Sequence, residues 1–89
     1  MISQTTARFW KTFEQLPDPV QQAARKAYQL WKQDPYHPSL HFKQVHSIKL
    51  IYSVRISREW RAVGFKEGDY IIWFWIGSHA DYDNLLSQL

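Results

Sequence analysis

The sequence predicts an α+β fold in which an N-terminal helical hairpin packs on a three- or four-stranded antiparallel sheet. Apolar residues recur at helical spacing in the first third of the chain, whereas alternating and continuous apolar segments follow later. The length of 89 residues leaves room for one core, because such a chain buries only about 60 to 65% of its unfolded surface. We therefore expect a single domain over residues 1–89.

The first helix is predicted over residues 4–16, and Pro17 then ends it. A second helix is predicted from Pro19 to about Gln33. Asp18 can cap the free N–H groups there, and Pro19 suits the first helical position because its missing N–H costs nothing at that point. Two helices in direct succession predict the hairpin.

The sheet is predicted to begin after a rigid connector at residues 34–39, which contains two prolines. Residues 40–45 are predicted to form an edge strand. In residues 48–57, apolar side chains at the even positions predict a strand with one buried face. The residues expected to be buried between helices and sheet are Phe9, Phe13, Trp31, Leu50 and Val54.

Residues 60–65 and 70–76 predict two further strands joined by a tight hairpin, in which Gly68 can adopt a positive φ. The last strand is apolar on both faces, which is typical of a strand that is central or covered by a partner. A short C-terminal helix is predicted after Gly77.

Composition narrows the classes of function. The chain has no Cys, so disulfides and thiolate metal sites are excluded and the cytoplasm is the default location. The N-terminus does not resemble a signal peptide, and the longest apolar run is far shorter than the roughly 20 residues that span a bilayer. We therefore expect no membrane association. A formal charge of +3 and fifteen aromatic residues favour a polyanionic partner.

The first candidate site is the segment that begins the C-terminal helix. Ser78 and Asp81 have the spacing of a capping box, which would place His79 at the first helical position with Tyr82 on the same face. Free N–H groups at a helix start favour a phosphate there. The alternative is an ordinary helix start, with Tyr82 packed in the core and His79 on the surface.

The second candidate site is a group of basic residues on the sheet. Arg55 and Arg61 flank a turn, and a three-residue loop would place both on one face, whereas a two-residue loop would place them on opposite faces. Two cations on one face would repel each other unless an anion bridged them. Lys43 on the preceding strand could extend this patch. The alternative is ordinary solvated charge.

No metal or cofactor is expected. His37 and His41 have the spacing of a helical metal pair, but Pro38 lies between them and prevents a helix. No Gly-rich phosphate loop and no serine nucleophile elbow is present in the sequence.

Three segments resemble the RelE/ParE superfamily of type II toxins, particularly YafQ-like members with a Gly-Ser/Thr-His motif. These segments are residues 53–56, 60–63 and 75–82. The resemblance implies that Arg61 matches the arginine that follows an aromatic residue, and that His79 is the catalytic histidine. It also implies catalytic roles for Arg61 and for the C-terminal aromatic Tyr82, and it extends loosely to Arg55 and Lys43 as substrate-binding residues.

Members of this superfamily usually open with a β-strand. Only residues 1–3 precede the helical pattern here, so we expect the sheet to lack that edge. The resemblance implies a cognate antitoxin as partner and metal-independent cleavage of mRNA on the ribosome, with DNA contact only through the antitoxin complex. Two alternatives stay open, because fold does not settle function: a ParE-like inhibitor of DNA gyrase, and a degenerate member that only binds an antitoxin.

Overall fold

The computed structural model describes residues Met1–Leu89 and confirms the α+β class. Three helices pack on one five-stranded sheet with the strand order β1-β5-β4-β3-β2. The strands are β1 (Ile2–Thr5), β2 (Lys43–Gln44), β3 (Ile51–Ser57), β4 (Trp60–Glu67) and β5 (Tyr70–Ser78). The helices are α1 (Ala7–Glu14), α2 (Asp18–Gln33) and α3 (His79–Gln88), with a short 3₁₀ turn at Pro38–Leu40. None of these helices is both long and apolar enough to cross a bilayer.

The sheet contains a strand that the sequence did not predict. Residues Ile2–Thr5 form β1, which pairs in parallel with residues 70–73 of β5. The sheet is therefore mixed and has one strand more than the predicted maximum, and the expected absence of the N-terminal edge was wrong. Four residues with almost no buried side chains show no alternation, so the strand depends on its pairing with β5.

The helical hairpin forms nearly where it was predicted. Helix α1 starts three residues late, at Ala7, because Gln4 belongs to β1 and the hydroxyl of Thr6 caps the helix by accepting from the Phe9 N–H at 3.1 Å. Helix α2 ends at Gln33 as predicted but begins one residue earlier, at Asp18. Its N-cap position is Pro17 rather than Asp18, and no side chain caps it.

Strand β3 begins at Ile51, three residues later than predicted. Leu50 is 42% exposed, so its predicted burial was wrong, whereas Ile51 and Ser53 are buried together with Val54. Ile51 and Ser53 are buried because α3 covers the second face of the sheet, which the alternation had assigned to solvent. Phe13 and Trp31 are buried as predicted, and Phe9 packs half-buried against them.

Two cores lie on opposite faces of the sheet. Helices α1 and α2 cover the larger one, which includes Val54, Ile71 and Ile76, and α3 covers the smaller one, formed by Ile51, Val63 and Tyr82. Strand β5 lies between β1 and β4, which explains why its sequence is apolar on both faces.

Candidate functional site

The turn between β3 and β4 places Arg55 and Arg61 on the same face of the sheet. The two arginines are direct cross-strand partners, and Ser57 pairs with Trp60. The connecting turn has only two residues, but Ile56 is an extra residue between the paired positions and forms a β-bulge. The predicted same-face arrangement is therefore reached through a bulge instead of a three-residue loop.

This shared face is the one covered by α3. Ser53, two residues before Arg55, accepts a hydrogen bond from the Tyr82 hydroxyl of α3. Alternate residues of a strand lie on one face, so Arg55 and its partner Arg61 are on the α3 side. Lys43 of β2 lies directly opposite Ser53 and shares that side. The structure thus brings all three predicted basic residues to one face.

The guanidinium group of Arg61 is fixed by the turn itself. Its Nη1 donates to three backbone carbonyl oxygens, those of Ser57 at 2.6 Å, Trp60 at 2.9 Å and Arg58 at 3.3 Å. All hydrogen bonds of this side chain to the protein come from Nη1, so Nε and Nη2 remain able to donate to a ligand.

The electrostatic environment of Arg61 favours an anion. Burial lowers the pKa of its guanidinium group, and the charge of Arg55 lowers it further. Tyr82, Glu59 and Asp83 act in the opposite direction. An arginine stays protonated in spite of such shifts, so the two adjacent cations repel each other. A phosphate between them would relieve this repulsion.

Helix α3 begins where the sequence predicted, with Ser78 as N-cap. The Ser78 hydroxyl accepts from the Asp81 N–H at 3.2 Å, which confirms the first half of the capping box, but the Asp81 carboxylate forms no return bond. His79 is the first helical residue. Its backbone N–H donates to the Glu59 carbonyl oxygen at 2.7 Å and thereby ties α3 to the same turn that holds Arg61.

The imidazole of His79 is half-exposed and has two neighbours on α3. Its Nδ1 lies 3.2 Å from a carboxylate oxygen of Asp83, four residues on in the helix. Its ring meets the ring of Tyr82 edge to face, with 5.7 Å between centroids. Nε2 of His79 contacts no hydrogen-bond partner in the protein.

Tyr82 is buried, and its hydroxyl donates to Ser53 Oγ at 3.0 Å in the smaller core. Its contact with the imidazole is made by the ring. Motif spacing in the sequence placed Tyr82 at the site, but the sequence did not predict the bond between Tyr82 and Ser53.

Two residues of this region, Asp83 and Ser53, were not predicted from the sequence. Asp83 has a usable signal, since it follows His79 by four positions in a predicted helix, where side chains meet. Ser53 has none, because a serine in an alternating strand is expected to face solvent.

The two histidines near Pro38 lie in the connector and take no part in this face. Pro38–Leu40 forms a 3₁₀ turn in which His37 Nδ1 accepts from the Ser39 N–H at 3.2 Å. His41 follows with a left-handed φ of 47°.

Solved structures of bacterial and archaeal toxins share this fold. The RelB–RelE antitoxin–toxin complex from Methanococcus jannaschii contains a chain with a TM-score of 0.73 at 13% identity, covering 92% of this chain and 96% of that one. The YoeB/ParE toxin from Agrobacterium tumefaciens gives 0.67 at 19% identity, with coverages of 89% and 99%. YafQ from E. coli strain BL21(DE3) gives 0.67 at 11% identity, with coverages of 90% and 94%. At these identities the likeness establishes the fold alone.

Sequence comparison supplies the family. No curated protein matches the chain as a whole. The sequence model of the family described as the ParE-like toxin domain matches residues 18–84, which include α2, the four strands β2 to β5 and the start of α3. The chain therefore belongs to the ParE-like toxin domain family, within the RelE/ParE superfamily of type II toxins.

Proposed function

We propose that the chain is the toxin of a type II toxin–antitoxin pair and that it cleaves mRNA on the ribosome without a metal ion. The observation that supports this proposal most directly is the position of His79, whose backbone is bonded to the turn that holds Arg61. A proton-transfer group and two cations lie at the same end and on the same face of the sheet. These are the groups that RNA cleavage through the substrate's own 2′-OH requires.

In the proposed reaction, a base removes the proton of the 2′-OH, and the 2′-oxygen attacks the adjacent phosphorus. The P–O5′ bond breaks, the departing 5′-oxygen receives a proton, and a 2′,3′-cyclic phosphate remains. His79 exchanges protons in this reaction, because histidine has an ordinary pKa of about 6.5 and titrates near neutrality. Arg61 and Arg55 stabilise the charge that develops on the phosphorane.

The other two candidate residues are Lys43, which would bind the RNA, and Tyr82, which supports His79. Lys43 extends the basic face from the neighbouring strand and would contact the RNA backbone as a point charge. Tyr82 presents its ring to His79 and contributes to the site through packing. In this proposal no proton passes through the Tyr82 hydroxyl, because that group is bonded to Ser53.

The test is induced expression of the wild-type chain and of His79→Ala, with growth, mRNA 5′ ends and gyrase–DNA cleavage complexes followed together. We expect the wild type to arrest growth and to produce new mRNA ends, and His79→Ala to lower the cleavage rate by about 10² to 10⁴. Growth arrest with intact mRNA and trapped gyrase would instead establish the gyrase inhibitor. Absence of any arrest would favour the degenerate antitoxin-binding member.

Arg61→Ala tests the second part of the mechanism. We expect a loss of cleavage of about two to three powers of ten, as for other lost charge-stabilising donors. The variant should also lose about 1–2 kcal/mol of unfolding free energy, because three turn carbonyls lose their donor. Arg55→Ala is the matched control for the stability measurement alone, because it removes a charge from the same face but none of those bonds.

An antitoxin is the expected protein partner. Structures with the same fold include RelB–RelE complexes from Methanococcus jannaschii and Pyrococcus horikoshii OT3. Several large side chains of this chain are exposed and would gain burial in such a complex, namely Ile2, Trp10, Tyr28, Tyr36, Ile48, Leu50 and Phe65. Co-expression of the product of the adjacent reading frame should restore growth and give a stoichiometric complex. Undiminished arrest without a complex would contradict that assignment.

A further inference from the structure

The contact between His79 and Asp83 has a chemical consequence for the imidazole. Nδ1 of His79 lies 3.2 Å from a carboxylate oxygen of Asp83, which is ion-pair distance. An ionised carboxylate only accepts hydrogen bonds and repels a lone pair, so the tautomer with the hydrogen on Nδ1 is favoured beside Asp83. In a neutral imidazole the lone pair then lies on Nε2. Nε2 is the ring nitrogen that has no partner within the protein.

Two side chains of α3 border the imidazole ring: the ring of Tyr82 packs against it, and the Asp83 carboxylate lies 3.2 Å from Nδ1. The backbone of His79 is fixed separately, because its N–H is bonded to the Glu59 carbonyl oxygen. The side chains of the pair are 42% exposed for His79 and 63% exposed for Asp83, so the pair adds little to folding stability.

We infer that Asp83 is a positioning residue, which holds the His79 imidazole with Nδ1–H on its carboxylate so that Nε2 takes the proton from the 2′-OH. The inference rests on the proposed RNA cleavage for its catalytic half. Its structural half, the tautomer of His79, can be measured without substrate. In the reaction, the 2′-OH proton moves to Nε2, the 2′-oxygen forms its bond to phosphorus, the P–O5′ bond breaks and the departing 5′-oxygen takes a proton from water. The resulting imidazolium is stabilised by the Asp83 carboxylate.

The groups that contact His79 come from α3 and from the turn. Asp83 is the carboxylate 3.2 Å from Nδ1 and Tyr82 contributes its ring, both from α3 itself. From the turn, Glu59 contributes its carbonyl oxygen to the His79 backbone. Asp83 is therefore the anionic group beside the imidazole at the moment when His79 becomes charged.

The structural half is tested by ¹⁵N NMR of the imidazole in the free protein at alkaline pH, for the wild type, Asp83→Ala and Asp83→Asn. We expect the wild type to have its proton on Nδ1. Asp83→Asn should keep this tautomer because the amide oxygen still accepts, whereas Asp83→Ala should shift toward Nε2–H. An unchanged tautomer in Asp83→Ala, or Nε2–H in the wild type, would overturn the inference.

The catalytic half is tested by single-turnover RNA cleavage with the same variants. Asp83→Ala should be about tenfold to a hundredfold slower, since it loses part of what the general base contributes. Asp83→Asn should lose less, because its amide oxygen can still accept from Nδ1–H.

Asp81→Asn is the matched control, because it removes a carboxylate from the same helical turn without touching His79. It should leave both the tautomer and the rate unchanged. A wild type that does not cleave RNA would contradict the proposed function. The NMR result would still decide whether Asp83 orients the ring. A tautomer fixed by Asp83 combined with an unchanged rate in Asp83→Ala would overturn the catalytic half alone.

Discussion

At the scale of single residues, the two chemical groups of Tyr82 have different tasks. The ring borders His79, while the hydroxyl is consumed by Ser53 in the smaller core. Motif spacing could place His79 and Tyr82 next to each other, because helical geometry alone brings such positions together. It could not place the hydroxyl, since its partner lies 29 positions earlier on a strand.

Tyr82→Phe should therefore leave RNA cleavage within about twofold of the wild type, since the ring against His79 is kept. The free energy of unfolding should fall by about 1–2 kcal/mol, because Ser53 Oγ is left buried without its partner. Chemical denaturation and cleavage rates measured on the same preparations check both statements. The double variant with Ser53→Ala should cost less than the sum of the two single variants. A large loss of cleavage in Tyr82→Phe would mean that the hydroxyl transfers a proton.

At the scale of secondary-structure elements, local sequence predicted those elements whose signals are local. The bounds of α2, the start of α3 at His79 and the positive φ of Gly68 follow from prolines, caps and turn chemistry. Strand β1 and the start of β3 do not follow from local signals, because both depend on distant partners. The partner of β1 is β5, and that of β3 is α3.

Gly64 and Gly68, both in the hairpin of β4 and β5, are constrained in different ways. Neighbouring atoms restrict Gly64, whereas a positive φ restricts Gly68. A Cβ on Gly64 would lie 2.9 Å from Trp73 and 3.0 Å from the Ile72 carbonyl oxygen, which belongs to a central strand and cannot move easily. Gly64→Ala should therefore lower the free energy of unfolding by about 1–3 kcal/mol. At Gly68 (φ +57°) there is open space, so Gly68→Asn should cost less than about 1 kcal/mol. Equal losses in thermal unfolding would contradict this distinction.

At the scale of the whole molecule, the modest charge of +3 is less informative than its distribution. Sequence alone could not decide whether Arg55 and Arg61 share a face, because the answer depends on one bulged residue. Once the register is known, Lys43, Arg55 and Arg61 form a basic row beside α3. Such a row favours the phosphates of a single strand.

Binding of a single-stranded RNA oligonucleotide should accordingly depend on salt. Lys43→Gln and Arg55→Gln should each reduce the slope of log K against log salt by about 0.7, the value for one lost phosphate contact on a single strand. Lys26→Gln is the control, since this lysine is exposed on α2, across the sheet from the basic row. A salt slope that Lys26→Gln changes as much as the other two would place the RNA elsewhere.

Because of the bulge at Ile56, a change of chain length at this position would alter the proposed site and leave the fold intact. Packed cores on both faces hold β3 and β4 in register, so a one-residue deletion at Ile56 would be absorbed by the turn. The same turn supplies the carbonyl oxygens that fix Arg61 and the one that anchors the His79 backbone. Such a deletion would therefore release both groups at once and leave a folded protein without the proposed site. In a lineage under pressure to escape its own toxin, this turn is where we expect inactivating length changes to accumulate.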